Sequence, residues 1–128
     1  MNYKDDEEIV STFVAETIDH LEELEHGVLK LENNTHHGDS ELVHSMFRAA
    51  HSIKAGANLL EYRDIELLSH AMENILQKLR LENLILDSEL ATVYLQAIDT
   101  IRMLVGFPQA ISSVRISILI QQLQEAID

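Results

Sequence analysis

From Ile9 to Ile127 the apolar residues of this sequence recur at three- and four-residue spacings, and only four Gly and one Pro interrupt them. Such spacing gathers the apolar groups on one side of an α-helix, whereas strands need alternation and frequent turn formers. The pattern predicts an all-α fold. A first helix is expected from about Asp6 to Glu32, with Ile9, Phe13, Val14, Leu21, Leu24, Val28 and Leu31 inward, Thr17 near its middle and Ile18 at its margin. Residues 33–38, Asn-Asn-Thr-His-His-Gly, break it. Asp39 or Ser40 then caps a second helix carrying Leu42, Met46, Ala49, Ala50, Ile53, Ala57 and Leu60. A third runs from about Arg63 to Arg80 with Ile65, Leu68, Met72, Ile75, Leu76 and Leu79 inward. After a loop over residues 81–86, Asp87-Ser88-Glu89 caps a fourth with Leu90, Val93, Tyr94, Ala97, Ile98, Ile101 and Val105 inward, ended by Gly106 and Pro108. In the last segment, Val114-Arg115-Ile116-Ser117-Ile118 alternates like a strand. A lone strand would have no partner, and Ile116, Leu119, Ile120, Leu123 and Ile127 make a helical stripe over residues 112–128. The expected architecture is an antiparallel four-helix bundle with a fifth, C-terminal helix packed on it, one domain over residues 1–128.

Charge and composition then narrow the chemistry. Nine Lys and Arg stand against twenty-two Asp and Glu, a formal charge of −13 that would repel a phosphate backbone and an anionic membrane surface. Nucleic acid is therefore not an expected partner. No Cys is present, which removes thiol redox chemistry and Cys-ligated metal. The opening MNYKDDEE lacks the cationic and apolar regions of a signal peptide, and no segment approaches the ~20 apolar residues of a membrane span. No membrane insertion and a cytoplasmic location are the expectations. Gly27, Gly38, Gly56 and Gly106 are isolated, so no Gly-rich phosphate loop exists and no nucleotide site is expected in this chain.

Seven His in so acidic a chain invite three readings: metal ligands, a catalytic or phosphoryl-accepting imidazole, or ordinary surface residues. At about 100° per residue, His51 falls roughly 120° from the centre of the second helix's apolar stripe, so it faces outward. Lys54 at i+3 puts a cation beside it, and Ala55 at i+4 is only a methyl. On the third helix, His70 and Glu73 share a face away from Leu68 and Met72, and Glu73 is expected to be an exposed carboxylate. If these two helices form a hairpin through a Glu61-Tyr62 turn, His51 and Glu73 lie at similar heights, and the carboxylate can accept the imidazole Nδ1–H, leaving Nε2 nucleophilic.

Met46-Phe47-Arg48-Ala49-Ala50-His51-Ser52-Ile53-Lys54-Ala55-Gly56-Ala57, followed by Ser69-His70-Ala71-Met72-Glu73-Asn74-Ile75-Leu76, closely resembles the histidine phosphotransfer (HPt) domain at the N-terminus of chemotaxis histidine kinases of the CheA type. The first-helix run Phe13-Val14-Ala15-Glu16-Thr17-Ile18-Asp19-His20-Leu21-Glu22-Glu23-Leu24 is similar as well, so the likeness covers most of residues 8–105. It implies that His51 is the phospho-accepting histidine, and that Lys54, His70 and Glu73 complete its polar network. It implies two-component signalling, in which a histidine kinase catalytic domain carrying ATP and Mg donates the phosphoryl group and a response-regulator receiver domain takes it onto an Asp. No cofactor or metal belongs to this domain itself, which is expected to be a monomer when isolated. Phe47, Ala55 and Asn58 fall in the expected partner footprint. Ala55 and Asn58 stand where family members usually carry Gly, and Asn58 is the bulkier departure.

A free imidazole titrates near ~6.5, so it needs no general base at neutral pH. Nε2 is expected to attack the γ-phosphoryl, with Glu73 holding the tautomer, Lys54 screening phosphoryl oxygens and His70 tuning the network. The N-terminal Met and the first helix favour part of a larger kinase over a stand-alone phosphorelay protein. Two other classes compete. Glu23-Leu24-Glu25-His26 and Glu41-Leu42-Val43-His44 are Glu-x-x-His motifs, as in metal-binding bundles, but their polar residues are expected outward, and His36-His37 offers only two ligands. A helical interaction module would use Phe47 and Leu67, both expected exposed.

Overall fold

A computed structural model describes residues 3–33, 40–81 and 84–128. After one 3-10 turn at Tyr3–Asp5, the elements are α1 (Glu7–Asn33), α2 (Ser40–Leu59), α3 (Arg63–Arg80), α4 (Ser88–Gly106) and α5 (Ser113–Glu125). Of the break expected over residues 33–38, Asn33 still belongs to α1 and residues 34–38 lie outside the described residues. Of the two caps expected for α2, Asp39 lies outside them and Ser40 is the first helical residue, and residues 82 and 83 of the expected loop also lie outside. The start of three helices is chemically marked. Asp6 Oδ1 accepts the backbone N–H groups of Glu8 and Ile9 at 3.0 and 3.2 Å, Asp87 Oδ1 accepts that of Leu90 at 2.8 Å, and Ser112 Oγ accepts that of Arg115 at 3.2 Å. Each satisfies N–H groups that have no partner within the helix.

Helices α1 to α4 form an antiparallel bundle in which each contacts the next and α4 closes on α1, while α5 lies on α3 and α4. The core they enclose runs from Phe13, Leu21, Leu24 and Val28 through Met46, Ile53 and Leu68 to Met72, Ile75, Ile98 and Ile101. Its stripes are those expected, and burial of each such side chain contributes about 1.5–3 kcal/mol. In α5 the strand-like alternation carries no weight: Ile116, Leu119 and Leu123 are buried, and Val114 and Ile118 are exposed. The stripes are narrower than expected, for Ile120 and Ile127 are half-buried, as are Ile9 and Val14 on α1, Leu42 on α2, Leu79 on α3 and Val93 on α4.

Two glycines let α1 and α2 approach closely. A Cβ at Gly27 would collide with the Met46 side chain, and one at Gly56 would lie 2.7 Å from Phe13 Cδ1. These two contacts set the antiparallel register of α1 against α2. The α2–α3 register is set at their connection. Glu61 has φ 63°, the left-handed conformation, and the backbone N–H groups of Glu61 and Tyr62 donate to Asn58 and Ala57 at 3.2 and 2.8 Å. This is a Schellman closure, in which glycine is the usual occupant of the left-handed position. Tyr62 then packs on Phe13, with ring centroids 5.6 Å apart. Glu61→Gly is expected to stabilise the protein by about 0.5–1 kcal/mol, the relief of left-handed strain less the added unfolded-state entropy. Urea denaturation with an unchanged slope and a higher midpoint is the readout.

Candidate functional site

His51 sits in the middle of α2 and Glu73 in the middle of α3, and the tight hairpin brings them level. His51 Nδ1 lies 2.6 Å from Glu73 Oε2, and Lys54 Nζ donates to Glu73 Oε1 at 2.8 Å. One carboxylate thus ties the imidazole and the ammonium together. The side chains differ sharply in exposure: His51 keeps 58% of its surface, Lys54 25% and Glu73 10%. Glu73 was expected to be an exposed carboxylate and is not. It does turn away from the Leu68–Met72 stripe, but α2 lies over it.

Burial alone would push the Glu73 carboxyl pKa up, yet the hydrogen bonds from Lys54 and His51, helped by their charges, hold it below the ordinary carboxylate range. It is therefore ionised at neutral pH and has no proton to give. In the neutral imidazole the 2.6 Å contact then requires Nδ1 to donate, so Nε2 carries the lone pair. With the ring more than half exposed, that lone pair faces solvent.

The remaining expected site residues divide. His70, one turn before Glu73, is exposed, and among the described residues no hydrogen bond or ion pair joins it to the other three. Ala55 is exposed and leaves the strip beside the imidazole low. Asn58 is exposed, and its Nδ2 donates to Glu66 Oε2 at 2.5 Å, which ties the amide to α3. Phe47, expected exposed, is half-buried against the core, because its ring fills the α2–α3 seam beneath Arg80. Leu67 is exposed as expected. The four residues of the Glu-x-x-His motifs, Glu23, His26, Glu41 and His44, are all exposed, whereas a bundle-core metal site needs its ligands inside. Ser45 donates a hydrogen bond to Glu23 across the α1–α2 seam, which gives that carboxylate a structural partner. His36 and His37 lie outside the described residues.

One feature of the site was not foreseen. On the α1 side of His51, next to Ser52, a cleft of about 340 Å³ opens over Phe13, Gly56, Leu59 and Leu60, with Glu16 and His20 also lining it. Gly56, in the last turn of α2, is its sequence signal: a residue without a side chain there lets the Phe13 ring lie against the helix and line the cleft.

Residues 8–127 match the family model described as the Hpt domain. The chain is 31% identical over 96 residues to the chemotaxis protein CheA of Treponema pallidum, covering 75% of this chain and 12% of that protein. It is 35% identical over 94 residues to the chemotaxis protein CheA of Rhizobium meliloti, covering 73% and 12%. The chain thus spans about an eighth of the length of these relatives. Its fold is that of the phosphorylated P1 domain of CheA3, solved in complex with CheY6 from R. sphaeroides. The TM-score is 0.81 over 94% of this chain and 95% of that one, at 23% identity. Among the described residues, no helix is long and apolar enough to cross a membrane.

Proposed function

The chain belongs to the Hpt domain family, and we propose that within it His51 is the phosphoryl acceptor, taking the group from ATP held by a histidine kinase domain and passing it to an Asp of a response-regulator receiver domain. The observation that carries this reading is the exposed imidazole with Nδ1 held by an ionised carboxylate, which leaves Nε2 as the nucleophile. In the first transfer the Nε2 lone pair forms a bond to the γ-phosphorus, the bond from that phosphorus to the β,γ-bridging oxygen breaks, and ADP leaves with the electron pair. The Nδ1 proton stays in its hydrogen bond, and Glu73 stabilises the positive charge that grows on the ring. Lys54 faces the arriving phosphoryl oxygens, which matters on a chain of net charge −13. In the second transfer the N–P bond breaks and a carboxylate oxygen of the receiver takes the phosphorus. ATP and Mg belong to the kinase domain, and His70 is given no step.

The partner surface would comprise Ala55, the Asn58–Glu66 pair and the cleft floored by Gly56 and Leu59, with Phe47 as a support beneath it. CheA and P1 relatives support the placing of this chain in chemotaxis signalling, as part of a longer kinase. Incubation with ATP and a CheA-type kinase domain is expected to yield one acid-labile, alkali-stable phosphate per chain. Fragmentation mass spectrometry would locate it on His51, with Nε2 phosphorylation distinguished by phosphorus NMR. Phosphate on any other side chain overturns the assignment.

A further inference from the structure

The hydrogen bond to Glu73 holds the His51 ring at one edge only, and the carboxylate that makes it sits on a side chain that can itself shift. A second restraint is present. Phe47, one turn before His51 on the same face of α2, lies with its ring 9° from parallel to the imidazole and the centroids 6.4 Å apart, an offset arrangement within the range of aromatic pairs. Phe47 is in turn covered by Arg80, whose guanidinium carbon is 4.7 Å from the phenyl centroid. The spacing explains how three residues on two helices meet. Arg80 is two turns beyond Glu73 on α3, and the antiparallel hairpin puts that end of α3 alongside the turn of α2 that precedes His51. Side chains on a helix lean toward its N-terminus, so Arg80 reaches back over Phe47.

We propose that Arg80 and Phe47 are positioning residues for phosphoryl transfer, the guanidinium clamping the phenyl ring and the phenyl ring setting the plane of His51 so that Nε2 is held toward the incoming phosphorus. The proposal rests on the reading of His51 as acceptor. In-line attack depends on the direction of the Nε2 lone pair, and a ring free to rock presents that direction for only part of the time. Arginine suits the position because its planar, weakly hydrated guanidinium lies flat on an aromatic face, while a lysine ammonium holds its water. An exposed cation–π contact has the strength of about a two- to five-fold change in an equilibrium, and a loss of that size in transfer rate is expected.

The test compares Arg80→Gln, Arg80→Lys and Phe47→Leu with the wild-type chain by two readouts. Proton and nitrogen NMR of the His51 ring detects the plane, since Phe47 shifts the ring protons through its ring current. Phosphorylation by a CheA-type kinase domain, read as kcat and KM separately, detects the chemistry. Arg80→Gln and Phe47→Leu are expected to move the His51 ring-proton shifts and to lower kcat about two- to five-fold with KM little changed. Arg80→Lys keeps the charge and is expected to recover less than half of the loss. Unmoved ring shifts, moved shifts with an unchanged kcat, or full recovery by Arg80→Lys would each overturn the proposal. A wild-type chain that takes no phosphate on His51 is a different result, and it removes the acceptor assignment itself.

Discussion

His51→Gln is expected to give a folded protein that takes up no phosphoryl group at all. The loss is complete because the reaction needs a nitrogen lone pair, and a carboxamide nitrogen has none to offer. The fold survives because the His51 side chain is more than half exposed and makes no part of the core, and Gln is a good helix former. A loss of no more than about 1 kcal/mol in urea denaturation is expected, because the ring is largely hydrated and its one hydrogen bond to Glu73 can be replaced. The Gln amide can still donate to Glu73, so the Lys54–Glu73 pair keeps its setting. The comparison that gives the result its meaning is a set of single changes at the other described histidines. His20→Gln, His26→Gln, His44→Gln and His70→Gln should all retain the acid-labile label. Label persisting in His51→Gln, or vanishing in one of the others while His51 remains, would move the acceptor elsewhere on the molecule.

What could be read in advance follows from how far each physical signal reaches along the chain. Apolar periodicity reports burial within one helix, so α3 was expected at Arg63–Arg80 and is found there. The same signal resolved α5, where only a helix puts Ile116, Leu119 and Leu123 on one side. The level pairing of His51 with Glu73 was legible too, since residue counts on either side of a short turn fix heights in a hairpin. A helical wheel has no knowledge of the neighbouring helix. It placed Glu73 off the apolar stripe and could not show that α2 would cover it. Phe47 failed for the same reason: off the centre of its own stripe, it is nonetheless enclosed by α3 and by Arg80. Glu61 carried no signal, because nothing marks a non-glycine residue for a left-handed turn. The choice of Lys54 and not His70 as second partner of Glu73 was equally hidden. Both lie within reach on sequence spacing, and only side-chain length and direction separate them.

The burial of Glu73 changes what its removal should do. An exposed carboxylate would be lost at little cost to stability. This one accepts from two charged or chargeable donors, and charge-assisted hydrogen bonds of that kind contribute about 1.5–3 kcal/mol each where water is excluded. Lys54 keeps a quarter of its surface and His51 more than half, so both can rehydrate, and the expected cost of Glu73→Ala is about 1–2 kcal/mol in total. The effect on transfer is larger. Without the carboxylate the Nδ1 proton is no longer held, part of the imidazole places its proton on Nε2, and the ring charge that develops during attack loses its counter-charge. A fall in phosphorylation rate of about 10- to 100-fold is expected, the kinetic equivalent of losing one such hydrogen bond in the transition state. Glu73→Gln, which keeps one acceptor without the charge, should fall between. The pH dependence separates the stability effect from a packing defect. Because the folded-state pKa of Glu73 is lowered, its contribution is fully present above the ordinary glutamate range near ~4.3 and is lost as pH falls through the folded value below it. Denaturation midpoints of wild type and Glu73→Gln should therefore differ at about pH 5 and above and converge under more acid conditions. A difference that persists unchanged into acid would assign the loss to packing, and transfer at the wild-type rate in Glu73→Ala would remove Glu73 from the chemistry.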